Sequence, residues 1–181
     1  MRIDQLPDKD YPIFTRFMFW LQKRKHGLIF TPTKAWGRSP WLFAAFMFFQ
    51  GALTRKSSLI DPALRALIST YISQINHCAY CVDLNASFLE KLGITQEKIS
   101  ALSTFSTTPL FNEKEQLALS YAERMTISNM RVDDDFFRQL SQQFSQPEII
   151  ELTAAIAFQN LSSKFNAALD IEAQGFCSMR K

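Results

Sequence analysis

The sequence predicts a single all-α domain of about eight helices. Three observations carry that prediction. Val occurs only twice and Gly only 5 times in 181 residues, whereas sheets favour β-branched residues and their turns need glycine. Helix-start chemistry recurs along the chain, as Ser or Asp directly before Pro or as a capping side chain three residues ahead of Glu. Between these marks the apolar residues return at intervals of three and four. A chain of this length is one domain by size and hides roughly 70% of its unfolded surface.

The elements follow in order. A first helix over 11–25 ends in Lys23-Arg24-Lys25-His26, a solvated run suited to a helix C-terminus; an anionic-partner site is the other reading. Ser39-Pro40 starts a helix over 40–53, and Asp61-Pro62 starts one over 61–75. Asn76 is a good N-cap for a helix over 77–92, which Gly93 closes. A short helix over 96–103 comes next. Asn112 with Glu115 opens 112–128, where Leu117, Tyr121, Met125 and Ile127 share a side. A helix over 133–143 precedes Ser145-Gln-Pro-Glu148, a capping box for 146–171. There Ile149, Leu152, Ile156 and Leu161 run along one side, with Ala155 and Ala168 allowing close approach. The aromatic stretches Phe14 to Trp20 and Trp41 to Phe49 read as core, as a face buried between subunits, or as both.

Composition excludes several classes of function. Hydrophobic residues at 47% and charged residues at 20% exclude a disordered chain. A net charge of +3 from 20 basic and 17 acidic residues gives no case for nucleic acid. The longest apolar stretch, Trp41 to Phe49, is far short of the about 20 residues of a membrane span. The first twelve residues, with five charges and two prolines, do not read as a secretory signal. Three cysteines, an odd number, make no disulfide scaffold. A reducing cytoplasm is the expected compartment, where a close cysteine pair means redox chemistry or metal more often than a structural bridge.

That pair lies in Ser73-Gln-Ile-Asn76-His77-Cys78-Ala-Tyr80-Cys81-Val-Asp83-Leu-Asn85. With Asn76 as N-cap, Cys78 takes the second helical position and Cys81 lies one turn on, on the same face. Such Cα atoms are about 5 Å apart, within disulfide range. Helix-start N–H groups and partial positive charge stabilise a thiolate. The pair is therefore suited to a dithiol–disulfide cycle. Half of a zinc site is a second reading, but only His26, His77 and Cys177 are obvious further donors and none forms a matching pair. Inert core thiols are a third. A thioredoxin is excluded, since its motif follows a strand. Cys177, in Gln-Gly-Phe-Cys-Ser-Met-Arg-Lys, is expected as a free thiol in a poorly ordered end.

The block Leu64-Arg65, Ser73, Asn76, Cys78, Tyr80, Cys81 resembles the carboxymuconolactone decarboxylase-like family, in its alkylhydroperoxidase AhpD-like branch. A second block agrees: Glu115-x-x-Ala118-Leu119, Ala122-Glu123, Phe144-Ser145-x-x-Glu148-Ile149-x-Glu151-Leu152-Thr153, then Asn160 and Phe165-Asn166. The likeness covers about 30–171, leaving about 1–30 as an N-terminal helical extension of one domain over 1–181. It implies an all-α AhpD-like fold with the cysteine pair at the start of a central helix, and a homo-oligomer, trimer or hexamer. It also implies reduction of a hydroperoxide at the expense of a thiol or protein reductant, with no cofactor and no metal. Cys81 would be attacked by peroxide and Cys78 would resolve it to a disulfide.

Two positions depart from that family's pattern. A glutamate usually stands twelve residues before the first cysteine, where this chain has Ala66. A histidine usually stands four residues after the second, where it has Asn85. Neither residue titrates, so the proton relay is missing as written. Asn85 remains a hydrogen-bond donor one turn beyond Cys81. Asp83 points elsewhere on the helical wheel. His77 is expected as an exposed first-turn residue, and Tyr80 either as a donor to a bound oxyanion or as interface packing. Serving as rivals to the peroxidase are a redox-responsive oligomeric scaffold with little turnover and, less favoured by the cysteine pair, a decarboxylase-type lyase.

Overall fold

Asp61 accepts hydrogen bonds from the N–H groups of Ala63 (2.8 Å) and Leu64 (3.0 Å) and so starts the helix at the centre of the molecule. The computed structural model describes residues 1–177. Among them the regular elements are all helical: α1 Ile13–His26, α2 Thr31–Trp36, α3 Pro40–Leu53, α4 Pro62–Ile75, α5 Ala79–Lys91, α6 Gln96–Ser100, α7 Glu113–Thr126, α8 Asp134–Gln143 and α9 Gln146–Ala168. The all-α expectation holds. Asn112 and Glu115 form their reciprocal cap, and Glu148 accepts both the N–H and the hydroxyl of Ser145. Gly93 closes α5 at φ 79°, with Ile94 N–H returning to the Leu89 carbonyl (3.0 Å). Ser39 flanks α3 without a side-chain cap bond.

The elements differ from expectation in one addition and in several boundaries. The six-residue α2, opened by Thr31-Pro32, is too short to show periodicity. The helix expected over 96–103 ends at Ser100 and continues as a 3₁₀ turn, Ala101–Thr104. The last helix stops at Ala168, because Asp170 turns left-handed (φ 52°) and Ile171 N–H bonds back to the Asn166 carbonyl (3.0 Å).

Helix α4 packs against α5, α7 and α9. Its Leu64, Leu67, Ile68, Tyr71 and Ile72 are buried with Leu89 of α5, Ala118, Leu119 and Ala122 of α7, and Leu152 and Ile156 of α9. Each large aliphatic side chain enclosed this way contributes roughly 1.5–3 kcal/mol. A second cluster gathers Ala35, Cys78, Tyr80, Cys81 and Ile171, covered by Met1, Ile3, Phe30, Phe165 and Phe176. The first residues of the chain and the segment around Phe176 therefore pack around the cysteine pair. The aromatic stretches divide: Phe19 and Phe43 are buried, whereas Trp41 and Phe48 are more than 80% exposed. Among the described residues no helix is long and apolar enough to cross a membrane.

Candidate active site

The cysteine pair sits where α4 ends and α5 begins. Asn76 is the C-cap of α4 and not the N-cap of the next helix. His77 follows in the left-handed region (φ 53°). Cys78 N–H then bonds to the Ser73 carbonyl (2.9 Å) and His77 N–H to the Gln74 carbonyl (3.1 Å). This is a Schellman turn with histidine where glycine is usual. Cys78, the second residue past the cap of α4, is itself the N-cap of α5, its sulfur accepting from Cys81 N–H (3.2 Å). Cys78 therefore precedes the helix, and Cys81 lies in its first turn.

Cys78 and Cys81 are disulfide-bonded, with Cα atoms 5.3 Å apart. Both are enclosed, at 1% and 3% exposure. Cys81 Sγ accepts a hydrogen bond from Asn166 Nδ2 of α9 (3.2 Å). That contact was not singled out in the sequence. The signal for it is the run of polar residues Gln159, Ser163 and Asn166 on the buried face of α9.

Asn85 is half-buried and donates to Ser73 Oγ (3.4 Å), so the expected donor one turn beyond Cys81 is engaged across the α4–α5 interface. Ser73 Oγ also accepts from Gln159 Nε2 (2.9 Å). Asn76 Nδ2 donates to Asn160 Oδ1 (2.9 Å) and Ser163 Oγ (2.8 Å), tying the turn to α9. Ala66 is a core residue of α4. The amides and hydroxyls around the pair thus form a neutral network. His77 is exposed and stands in the turn ahead of the helix. Tyr80 is buried, edge-on to Phe176 (5.8 Å). Burial and the nearby Asp83 carboxylate hold its phenol above its ordinary pKa, in the neutral form.

Asp83 faces away from the sulfurs and binds the C-terminal segment. Its Oδ2 accepts from the N–H groups of Gln174 (3.0 Å), Gly175 (2.7 Å) and Phe176 (3.0 Å), and its Oδ1 from Cys177 (3.0 Å). Desolvation pushes this carboxyl up, but the four N–H donors outweigh it and hold its pKa below the ordinary value. The expectation of a poorly ordered Cys177 is corrected: the residue is buried, and its sulfur lies 3.3 Å from Glu90 Oε1. Four backbone bonds to one carboxylate order this segment. The final residues of that expected tail, 178–181, lie outside the described residues. Among the described residues no cluster of three or more His, Cys, Asp or Glu side chains is arranged to hold a metal ion.

Residues 40–124 match the carboxymuconolactone decarboxylase family. The protein YnjA of Escherichia coli (strain K12) is 38% identical over 171 residues, covering 94% of each chain. A peroxidase-related protein from Ralstonia eutropha JMP134 with an alkylhydroperoxidase AhpD core superposes with a TM-score of 0.85. It is 19% identical, with 97% of this chain and 93% of that one aligned. The debrominase Bmp8 superposes with a TM-score of 0.79 at 24% identity, with 95% and 91% aligned. These two likenesses concern the fold. With its helical core, its cysteine pair and a relative matched along nearly its whole length, the chain belongs to the carboxymuconolactone decarboxylase family, within its AhpD-like group.

Proposed function

We propose that the protein is a thiol-dependent peroxidase that cycles between a Cys78–Cys81 dithiol and disulfide. The observation that supports this reading best is the disulfide itself, bridging the first turn of α5 with a separate donor on each sulfur: Cys81 N–H on Cys78, and Asn166 on Cys81. Donors of this kind favour a thiolate and a good leaving sulfur.

The cycle balances as follows. Cys81 thiolate attacks the distal oxygen of a hydroperoxide; an S–O bond forms, the O–O bond breaks, and the departing alkoxide takes a proton from water. The Cys78 thiol then attacks the sulfenic sulfur, forming the S–S bond and releasing water. An external dithiol, on a small molecule or a reduced protein, returns two electrons and two protons and is itself oxidised to a disulfide. Substrate, reductant and protein thus account for every atom transferred, with no metal or organic cofactor in the cycle.

Peroxide consumption with a dithiol reductant tests this. Activity is expected from the unmodified protein and is lost in Cys81→Ser. Cys78→Ser traps an oxidised Cys81, seen by mass spectrometry, since no partner thiol remains to condense with it. The burial of both sulfurs favours one alternative, a redox-responsive oligomeric scaffold with little turnover. That reading predicts stoichiometric oxidation of the pair without sustained peroxide consumption. Bmp8 is a debrominase on the same fold, so a halogenated aromatic belongs in the assay as a competing substrate class.

A further inference from the structure

We propose that Asn166 is a catalytic residue for the Cys81 sulfur: its amide N–H stabilises the thiolate, and its amide oxygen accepts from the sulfenic hydroxyl formed by peroxide. The inference rests on the peroxidase reading and assigns the group that works beside the sulfur in this chain.

Gln159, Ser163 and Asn166 follow one another at four and three residues, and so share one face of α9. All three are buried, at 8%, 0% and 1% exposure. Gln159 and Ser163 are engaged with α4 and its C-cap, through Ser73 and Asn76. Asn166 is different. Its Nδ2 donates to Cys81 Sγ (3.2 Å), while its Oδ1 is enclosed and has no hydrogen-bond partner among the described residues.

Enclosed polar atoms are nearly always satisfied, and an exception calls for a reason. A disulfide has no hydrogen to give, so Oδ1 goes unmatched beside it. A Cys81 thiol or sulfenic acid carries an S–H or O–H that this oxygen can accept. The amide thus presents a donor for the anionic sulfur and an acceptor for its protonated or oxidised forms, and it does so without exchanging a proton. The Asn166 backbone is fixed as well, since its carbonyl accepts from Ile171 in the turn that ends α9. The nearby residues offer no substitute: Asn85 is bonded to Ser73, and Ala66 has no polar atom.

The test is the pH dependence of Cys81 alkylation by iodoacetamide in a Cys78→Ser background, with the modified peptide quantified by mass spectrometry. Asn166→Ala and Asn166→Leu, the latter keeping the branched shape without polar atoms, are expected to raise the midpoint by about one pH unit. The rate at pH 7 falls about tenfold. An unchanged midpoint in either folded variant overturns the proposal. Alkylation needs no peroxide turnover, so a protein that does not consume peroxide but shows this shift refutes the peroxidase reading and leaves the thiolate contact standing. If both variants fail to fold, the Asn166 side-chain amide resonance of the unmodified protein decides. It is expected to shift between disulfide and dithiol and to titrate with Cys81; a resonance indifferent to both overturns the proposal.

Discussion

Asp83 accepts the backbone N–H of Gly175 at 2.7 Å, and this bond joins the cysteine helix to the C-terminal segment that covers it. The same carboxylate holds the next two amides, which places Phe176 against Tyr80 and Phe30. A side chain two residues beyond Cys81 thereby controls how the pair is enclosed.

Asp83→Ala removes the acceptor of four N–H groups. The expected loss is about 2–4 kcal/mol of stability, read from thermal unfolding. Reduction of the disulfide by a water-soluble phosphine should become severalfold faster, because the segment over the second cluster is released. Equal rates in the two proteins would show that the reductant does not approach under this segment.

Acid should act on the same contact. The Asp83 pKa is depressed on folding, so its stabilisation is complete above the unfolded value, 3.8, and is lost as pH falls through the lower folded value. The Gly175 amide resonance is expected to hold steady down to about pH 4 and to move below it.

The neutral network around the sulfurs predicts a simple pH–rate profile. Peroxide consumption should follow one ionisation, rising about tenfold per pH unit below the thiol pKa, with no descending limb between pH 6 and 9. Ala66→Glu with Asn85→His should raise the rate at pH 7 by about tenfold. This is below the usual roughly 10²–10⁴-fold of a fitted general base, since Ala66 is a core position with no space prepared for a carboxylate. A bell-shaped profile in the unmodified protein would place a titrating group at the sulfur.

Gly37 is fixed by packing. A Cβ there would meet Thr33 O at 2.6 Å and collide with Thr15 Cγ2, while Thr15 Oγ1 already donates to the Gly37 carbonyl (2.8 Å). Gly37→Ala should lower stability by about 1–3 kcal/mol in denaturant unfolding, with the helical circular dichroism unchanged.

The exposed aromatic face of α1 and α3 predicts self-association. Trp41 and Phe48 of α3 are 85% and 81% exposed, and Phe17 and Trp20 of α1 are 53% and 52% exposed. Large exposed apolar patches are a general feature of interaction surfaces, and self-association is the expected outcome here. Sedimentation at micromolar concentration should show a species larger than the 20.8 kDa chain, and Trp41→Asp with Phe48→Asp should reduce it to the monomer.

The sequence by itself determined most of the helices. Asp61, the Asn112–Glu115 pair, the Ser145–Glu148 pair and Gly93 all act within five residues, so their chemistry is written locally. It determined the spacing of Cys78 and Cys81 for the same reason. The tertiary structure decided what surrounds them. Asn76 became a helix end because a left-handed His77 lets the chain reverse at once, a backbone choice that residue type alone does not force. Asp83 met Gln174 to Cys177, and Asn166 met Cys81, across 85 or more residues. Contacts at that separation leave no period in the sequence. They exist because α4, α5 and α9 pack together, and an enclosed polar atom must take its partner from whatever that packing brings within reach.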